Sequence, residues 1–107
     1  MKTFDAYQAL ATRLPAALRN NRDRVELALL GLQQEAGKVG SLFTAGFATG
    51  RFRLTREQVH EVRNRLGDVL WHVALLCQEA GLTMQDVAEH SLAQLEARRE
   101  QFDPGQR

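Results

Sequence analysis

Residues 56–80, REQVHEVRNRLGDVLWHVALLCQEA, decide the fold. Val59, Val62, Leu66, Val69, Val73, Leu76 and Ala80 recur at three- and four-residue steps, the period of a helix that buries one face. Both ends carry stop signals. Thr55 with Gln58 makes a capping box, in which each side chain satisfies a backbone N–H at the helix start. Gly81 followed by Leu82 fits a left-handed C-cap with its hydrophobic contact. The spacing predicts one long helix over 56–80. From Val69 to Cys77 it is apolar nearly all round, broken only by His72. A helix apolar on every side is buried on every side, and a lone chain of this size rarely encloses one of its helices. The stretch is therefore expected to meet another subunit as well, with Trp71 as the interface anchor.

Three more helical segments flank it. Phe4, Tyr7, Leu10, Ala11, Leu14 and Leu18 predict a first helix over about 4–18, with a kink or stop at Pro15, which lacks an amide hydrogen. Asn20-Asn21 marks a turn. Asp23 is the expected cap of the next helix, with Glu26 completing a capping box. There Val25, Leu29, Leu32, Ala36, Val39 and Phe43 form an apolar stripe. Gly31, Gly37 and Gly40 lie within this helix, each costing about 1 kcal/mol against alanine. They point to close helix approach, to open space beside the helix, or to tolerated neutral glycine. Residues 44–54, TAGFATGRFRL, read as the longest break. Thr83, with Asp86, caps a last helix carrying Val87, Ala88, Ser91, Leu92 and Leu95, which ends before Asp103-Pro104-Gly105. The fold class is all-α, a four-helix bundle in one domain over 1–107, expected to be oligomeric.

Composition bounds the function. The chain has 107 residues, 44% hydrophobic and 25% charged, near globular averages. Fourteen basic and thirteen acidic residues leave a net charge of +1, so a dedicated nucleic-acid binder is disfavoured. Cys77 is the sole cysteine, so an intrachain disulfide is impossible. No apolar run approaches a membrane span and no secretory h-region opens the chain. A cytoplasmic location is expected.

The two central helices each carry a polar row beside the apolar stripe. At about 100° per residue, Gly31, Glu35, Lys38 and Leu42 lie roughly 110° from the stripe of their helix. Glu61, Arg65, Asp68, His72 and Glu79 lie at a similar offset on the long helix. If the stripes pack on each other, the polar rows converge at the mouth of the groove between them. The blander reading is a pair of solvated shoulders.

ALLGLQQEAGKVGSLF followed by VRNRLGDVLWHVALLCQEAGLTMQDVAEHSLAQLEAR resembles the MazG-like, all-α nucleoside triphosphate pyrophosphohydrolases, and TFDAYQALATR matches their usual first helix. The resemblance implies hydrolysis of a nucleoside triphosphate to the monophosphate and pyrophosphate. It also implies Mg²⁺ held by a Glu-Glu-x-x-Glu run on one helix and a Glu-x-x-Asp run on the next. Magnesium takes oxygen ligands in octahedral geometry, and carboxylates three apart on a helix share a face. The metal would neutralise phosphate charge and activate water. Carried across, the first run falls on Gln34, Glu35 and Lys38 and the second on Arg65 and Asp68. Glu35 and Asp68 keep the pattern and are the candidate catalytic and metal-binding residues. Glu61, two turns before Asp68, is a candidate displaced metal ligand, and a salt bridge to Arg65 is its simpler role. Lys38 and Arg65 stand where the family has glutamates. His72, Ser91 and Gln94 depart from it as well.

Glu35, Asp68, Lys38 and Arg65 sum to zero charge. A metal ion there would meet two cations, each like-charge contact costing on the order of 4 kcal/mol at about 4 Å in an effective dielectric of ~20. An internal salt-bridge cluster is expected instead. Three readings follow: a MazG-like fold with an impaired or lost metal site, kept for binding or assembly; a working enzyme with a site rebuilt from Glu61, Glu35, Asp68 and Glu79; or metal-free binding of a phosphate compound by Lys38 and Arg65, with His72 beside it. AGLTMQDVAEHSL has the look of a helix-turn-helix entry, but the helix before it is too long for that motif. Arg51, Arg53 and Arg56 form a basic cluster that a solvated loop also explains. His60 and His90 read as surface residues.

Overall fold

The computed structural model describes residues 3–13 and 20–102. Among them, five helices follow one another without a strand: α1 Phe4–Ala11, α2 Asn21–Ser41, α3 Thr44–Thr49, α4 Arg56–Ala80 and α5 Met84–Phe102. Among the described residues no helix is long and apolar enough to cross a membrane.

The local signals around α4 are realised atom by atom. Gln58 N donates to Thr55 Oγ1 at 3.1 Å, and Thr55 N donates to Gln58 Oε1 at 2.9 Å. Gly81 takes the left-handed conformation at φ 72°, and Leu82 N donates back to Cys77 O at 2.8 Å. Thr83 Oγ1 accepts from Asp86 N at 3.0 Å.

Three local readings need correction. The N-cap of α2 is Asn20, whose Oδ1 accepts from Arg22 N and Asp23 N at 2.8 and 3.3 Å. Asp23 instead lies in the first turn, where its charge complements the helix dipole, and Glu26 turns to Arg22. Helix α1 ends at Ala11 rather than near Leu18, with Thr12 as its C-cap; Leu14, Pro15 and Leu18 lie outside the described residues. The supposed break at 44–54 begins as the short helix α3, closed by Gly50 at φ 72°.

The packing faces are rotated from the apolar stripes. Helices α2 and α4 form the principal antiparallel pair. On α2 the close-approach residues are small, Ala28, which is wholly buried, and Gly31, which faces the His72 ring of α4. Leu29 and Leu66, expected at the centre of the core, are 44% and 50% exposed. The polar row of α4, with Glu61, Arg65, Asp68 and His72, is half-buried or buried. The helices therefore close along their small and polar residues, and the rows lie at the seam rather than at its mouth.

The 69–77 stretch is buried or half-buried by its own chain. Trp71 is tied to its own chain: its Nε1 donates to Ala11 O at 3.0 Å, and the half-buried ring packs on the cluster of Ala11, Ala74, Cys77 and Met84. Gln8 holds the other end of α1. Its Nε2 donates to Leu82 O at 3.0 Å and its Oε1 accepts from Met84 N at 2.8 Å. One buried amide thus ties α1 to the α4–α5 turn and caps α5.

Candidate functional site

Glu35 is the centre of the α2–α4 seam. Its side chain is 12% exposed, because α4 lies across it. Lys38, one turn later on α2, brings Nζ to 3.0 Å from Oε1. Arg65 on α4 brings Nη1 to 3.9 Å from Oε2 and donates from Nε to Glu61 Oε1 at 2.9 Å. The order is Lys38, Glu35, Arg65, Glu61, with cations and anions alternating across the two helices. Four of the residues picked from the sequence are thus brought together, and the Glu61–Arg65 pair takes the simpler of its two expected forms. Glu35 Oε2 is buried without a hydrogen bond. The guanidinium at 3.9 Å is within ion-pair range but beyond hydrogen-bond length.

Asp68 lies elsewhere in its surroundings. It makes no ion pair among the described residues, and its charge, after burial, is the second cause that raises the Tyr7 pKa above its ordinary value. Glu79 is further away still, held by Arg24 Nε at 2.6 Å and Asn21 Nδ2 at 3.0 Å. Ser91 and Gln94 are exposed on α5.

His72 is 6% exposed. Its Nδ1 lies 2.7 Å from Asp68 O. A carbonyl oxygen only accepts, so Nδ1 carries the proton. The opposite edge of the ring rests on Gly31, where a Cβ would stand 2.1 Å from Nε2. Trp71 packs beside it with ring centroids 4.9 Å apart. Ring and glycine together border an open groove of about 480 Å³. Asp23, Glu26, Leu27, Leu30 and Glu35 complete most of its wall.

Magnesium does not fit these donors. One oxygen of Glu35 is taken by an ammonium, the other faces a guanidinium, and Glu61 is bonded to the same guanidinium. A single buried oxygen without a hydrogen bond is far from the octahedral oxygen set that the ion requires. Among the described residues no three Asp, Glu, His or Cys groups converge closely enough to hold a metal.

Residues 51–102 match the family model of the MazG nucleotide pyrophosphohydrolase domain. That segment is similar to the domain. The match spans the Arg51–Thr55 linker, α4 and α5, just under half of the chain, so it contains Arg65 and Asp68 but not Glu35 and Lys38. No curated protein and no solved structure matches the chain. Sequence reasoning missed Gln8, a polar residue within an amphipathic pattern that gave no sign of facing inward. It also missed the groove wall at Asp23 and Glu26.

Proposed function

We propose that this MazG-like chain has kept the helical frame and lost magnesium-dependent pyrophosphohydrolysis, serving as a binding or assembly module. One observation carries the reading: Glu35 is held between Lys38 at 3.0 Å and Arg65 at 3.9 Å. The two cations supply the charge that an ion would otherwise bring. A carboxylate paired in this way is a poor metal ligand, since binding would first have to break both contacts and then place like charges together.

Calorimetric titration with Mg²⁺ and Mn²⁺, alone and with a nucleotide panel, tests this together with a pyrophosphate-release assay. The expected result is no metal binding and no release. Release of pyrophosphate that requires the metal would refute it. Nucleotide binding without metal would favour the phosphate-clamp reading, in which a phosphate displaces Glu35 from Lys38 and Arg65. The double change Lys38→Glu with Arg65→Glu gives the converse. Four carboxylates would then crowd the seam and raise one another's pKa values, so the variant should be less stable in chelator. Added Mg²⁺ should restore much of that stability by binding only the native state.

A further inference from the structure

The charges of the chain nearly cancel overall, at +1, but they are unevenly spread. From Val39 to Arg56 the sequence holds three arginines and no acidic residue. Arg51, Arg53 and Arg56 are all exposed, and none makes an ion pair among the described residues. Phe47, 80% exposed, and Phe52, 50% exposed, stand in the same segment. Clustered apolar rings left in water beside unpaired cations point to a ligand that has both apolar faces and negative charge.

The tip that carries them, α3 and the residues after it, is held by its own contacts. Gly50, at φ 72°, ends α3, and its N–H donates to Gly46 O at 2.7 Å. Arg51 N donates to Thr49 Oγ1 at 3.3 Å. The chain then folds back over α3, so that a Cβ on Gly46 would stand 2.6 Å from Phe52 Cδ1 and 2.9 Å from Arg51 O. Phe47 meets Phe52 edge-on, with ring centroids 5.1 Å apart and planes at 82°. A merely solvated loop requires none of these contacts. Beside Phe52 is a recess of about 60 Å³ whose lining includes Arg51, Arg53 and Gln58. Gln58 Oε1 is taken by Thr55 N, so its amide N–H groups remain as donors. These three side chains offer a bound molecule donors and positive charge.

We infer that the α3 tip binds single-stranded nucleic acid, with backbone phosphates on Arg51, Arg53 and Arg56 and bases against Phe47 and Phe52. A guanidinium fork matches two phosphate oxygens at once. An exposed ring gives an unpaired base a stacking partner whatever the base is. Arg51-Phe52-Arg53 alternates the two kinds of contact along the chain, as a single strand alternates phosphate and base. A duplex keeps its bases stacked on one another and leaves the rings little to meet. An anionic membrane would also meet the arginines, but a tip that inserts into lipid leads with apolar surface, and here arginines flank Phe52 on both sides. Near-neutral total charge disfavours a dedicated binder of long nucleic acid; it is compatible with a short contact of about three phosphates. The contact uses no residue of the Glu35 cluster, so it stands whether or not a metal binds there.

Fluorescence anisotropy with a labelled oligonucleotide of about 12 nucleotides, as RNA and as DNA, tests this. Binding should appear at low salt and weaken as salt is added. Three phosphate contacts at ~0.7 each predict that log K falls against log salt with a slope of about −2. Phe47→Ala should weaken binding about five- to a hundredfold and leave that slope unchanged. Arg51→Gln with Arg53→Gln should reduce the slope to about −0.7. Gly46→Ala should weaken binding with no change of charge, by displacing Phe52. The same sequence as a duplex should bind more weakly than the single strand. Far-UV circular dichroism checks that each variant keeps its helicity; Phe47, Arg51 and Arg53 are exposed. No binding at up to about 100 μM protein in low salt overturns the inference. So does a Phe47→Ala variant that binds like the parent, a salt slope that the two arginines do not set, or a duplex bound as tightly as the single strand. Vesicles of anionic phospholipid that capture the protein and displace the oligonucleotide would assign the tip to a membrane surface instead.

Discussion

Replacing Gly31 by alanine isolates the closest approach in the α2–α4 seam. The added Cβ would stand 2.1 Å from His72 Nε2 and 2.2 Å from its Cδ2. Carbon contacts relax near 3.5–4.0 Å, so the ring must retreat by more than about 1 Å. It cannot do so freely, because it is buried and its Nδ1 is bonded to Asp68 O. Overpacking of this kind costs about 1–3 kcal/mol, and loss of the hydrogen bond adds about 1 kcal/mol. Better helix propensity returns about 1 kcal/mol. The net is a destabilisation of roughly 1–3 kcal/mol, or a fall of roughly 5–20 °C in Tm for a chain near 100 residues. Gly37 and Gly40 have nothing within 4 Å of a Cβ. Alanine at either should stabilise by about 0.5–1 kcal/mol through propensity alone. The same helix therefore predicts opposite signs for one substitution type. Thermal and urea unfolding followed by circular dichroism reads all three. Adding His72→Ala to Gly31→Ala should recover part of the loss, as a double-mutant cycle would register. If Gly31→Ala behaves like Gly37→Ala, the ring does not rest on Gly31 and the seam is not packed as described.

Other outcomes follow from the same structure. Gln8→Ala should cost roughly 2–3 kcal/mol in urea unfolding, since it removes two hydrogen bonds and strands Leu82 O and Met84 N; Gln8→Glu should be worse than a single lost bond, because it sets a carboxylate against the Leu82 carbonyl. Trp71→Phe should cost about 1 kcal/mol in urea unfolding by losing the bond to Ala11 O. Burial raises the pKa values of both Tyr7 and Cys77. The unfolded chain then loses these protons first as pH rises. Stability should hold below the ordinary values of about 8.5 for Cys and about 10 for Tyr, then fall as pH climbs through the raised native values; urea midpoints that stay flat to about pH 11, or an unchanged alkaline slope in Tyr7→Phe, would contradict this.

Much of this was legible because capping is local. Thr55, Gln58, Gly81, Leu82 and Thr83 act on backbone groups within a few residues, so their meaning survives without tertiary knowledge. The Glu35–Lys38 and Glu61–Arg65 pairs were legible for a similar reason, since helical spacing places three- and four-residue neighbours side by side, whereas Arg65 turns to Glu61 and Glu35 and not to Asp68, one turn away. The rotation of the packing faces was not. Apolar periodicity identifies a face that avoids water, but Ala28 and Gly31 let the backbones approach along a different face, and Leu29 and Leu66 were left outside. Gln8 failed for a related reason: its two partners are 74 and 76 residues away, beyond any local pattern. Helix α3 is too short to show a period, and its glycines read as a break.

The attachment of α5 has a consequence in time. Met84 is buried and its amide is tied to Gln8, yet every residue from Glu89 to Gln101 is exposed. A stretch of that length is near the ~12–15 residues at which an isolated helix is only marginal in water. Its amide hydrogens should exchange with solvent through local fraying, on a schedule of their own. Those of the 70–77 segment of α4 wait for opening of the whole fold. Denaturant well below the unfolding midpoint would accelerate the second set and leave the first almost unchanged.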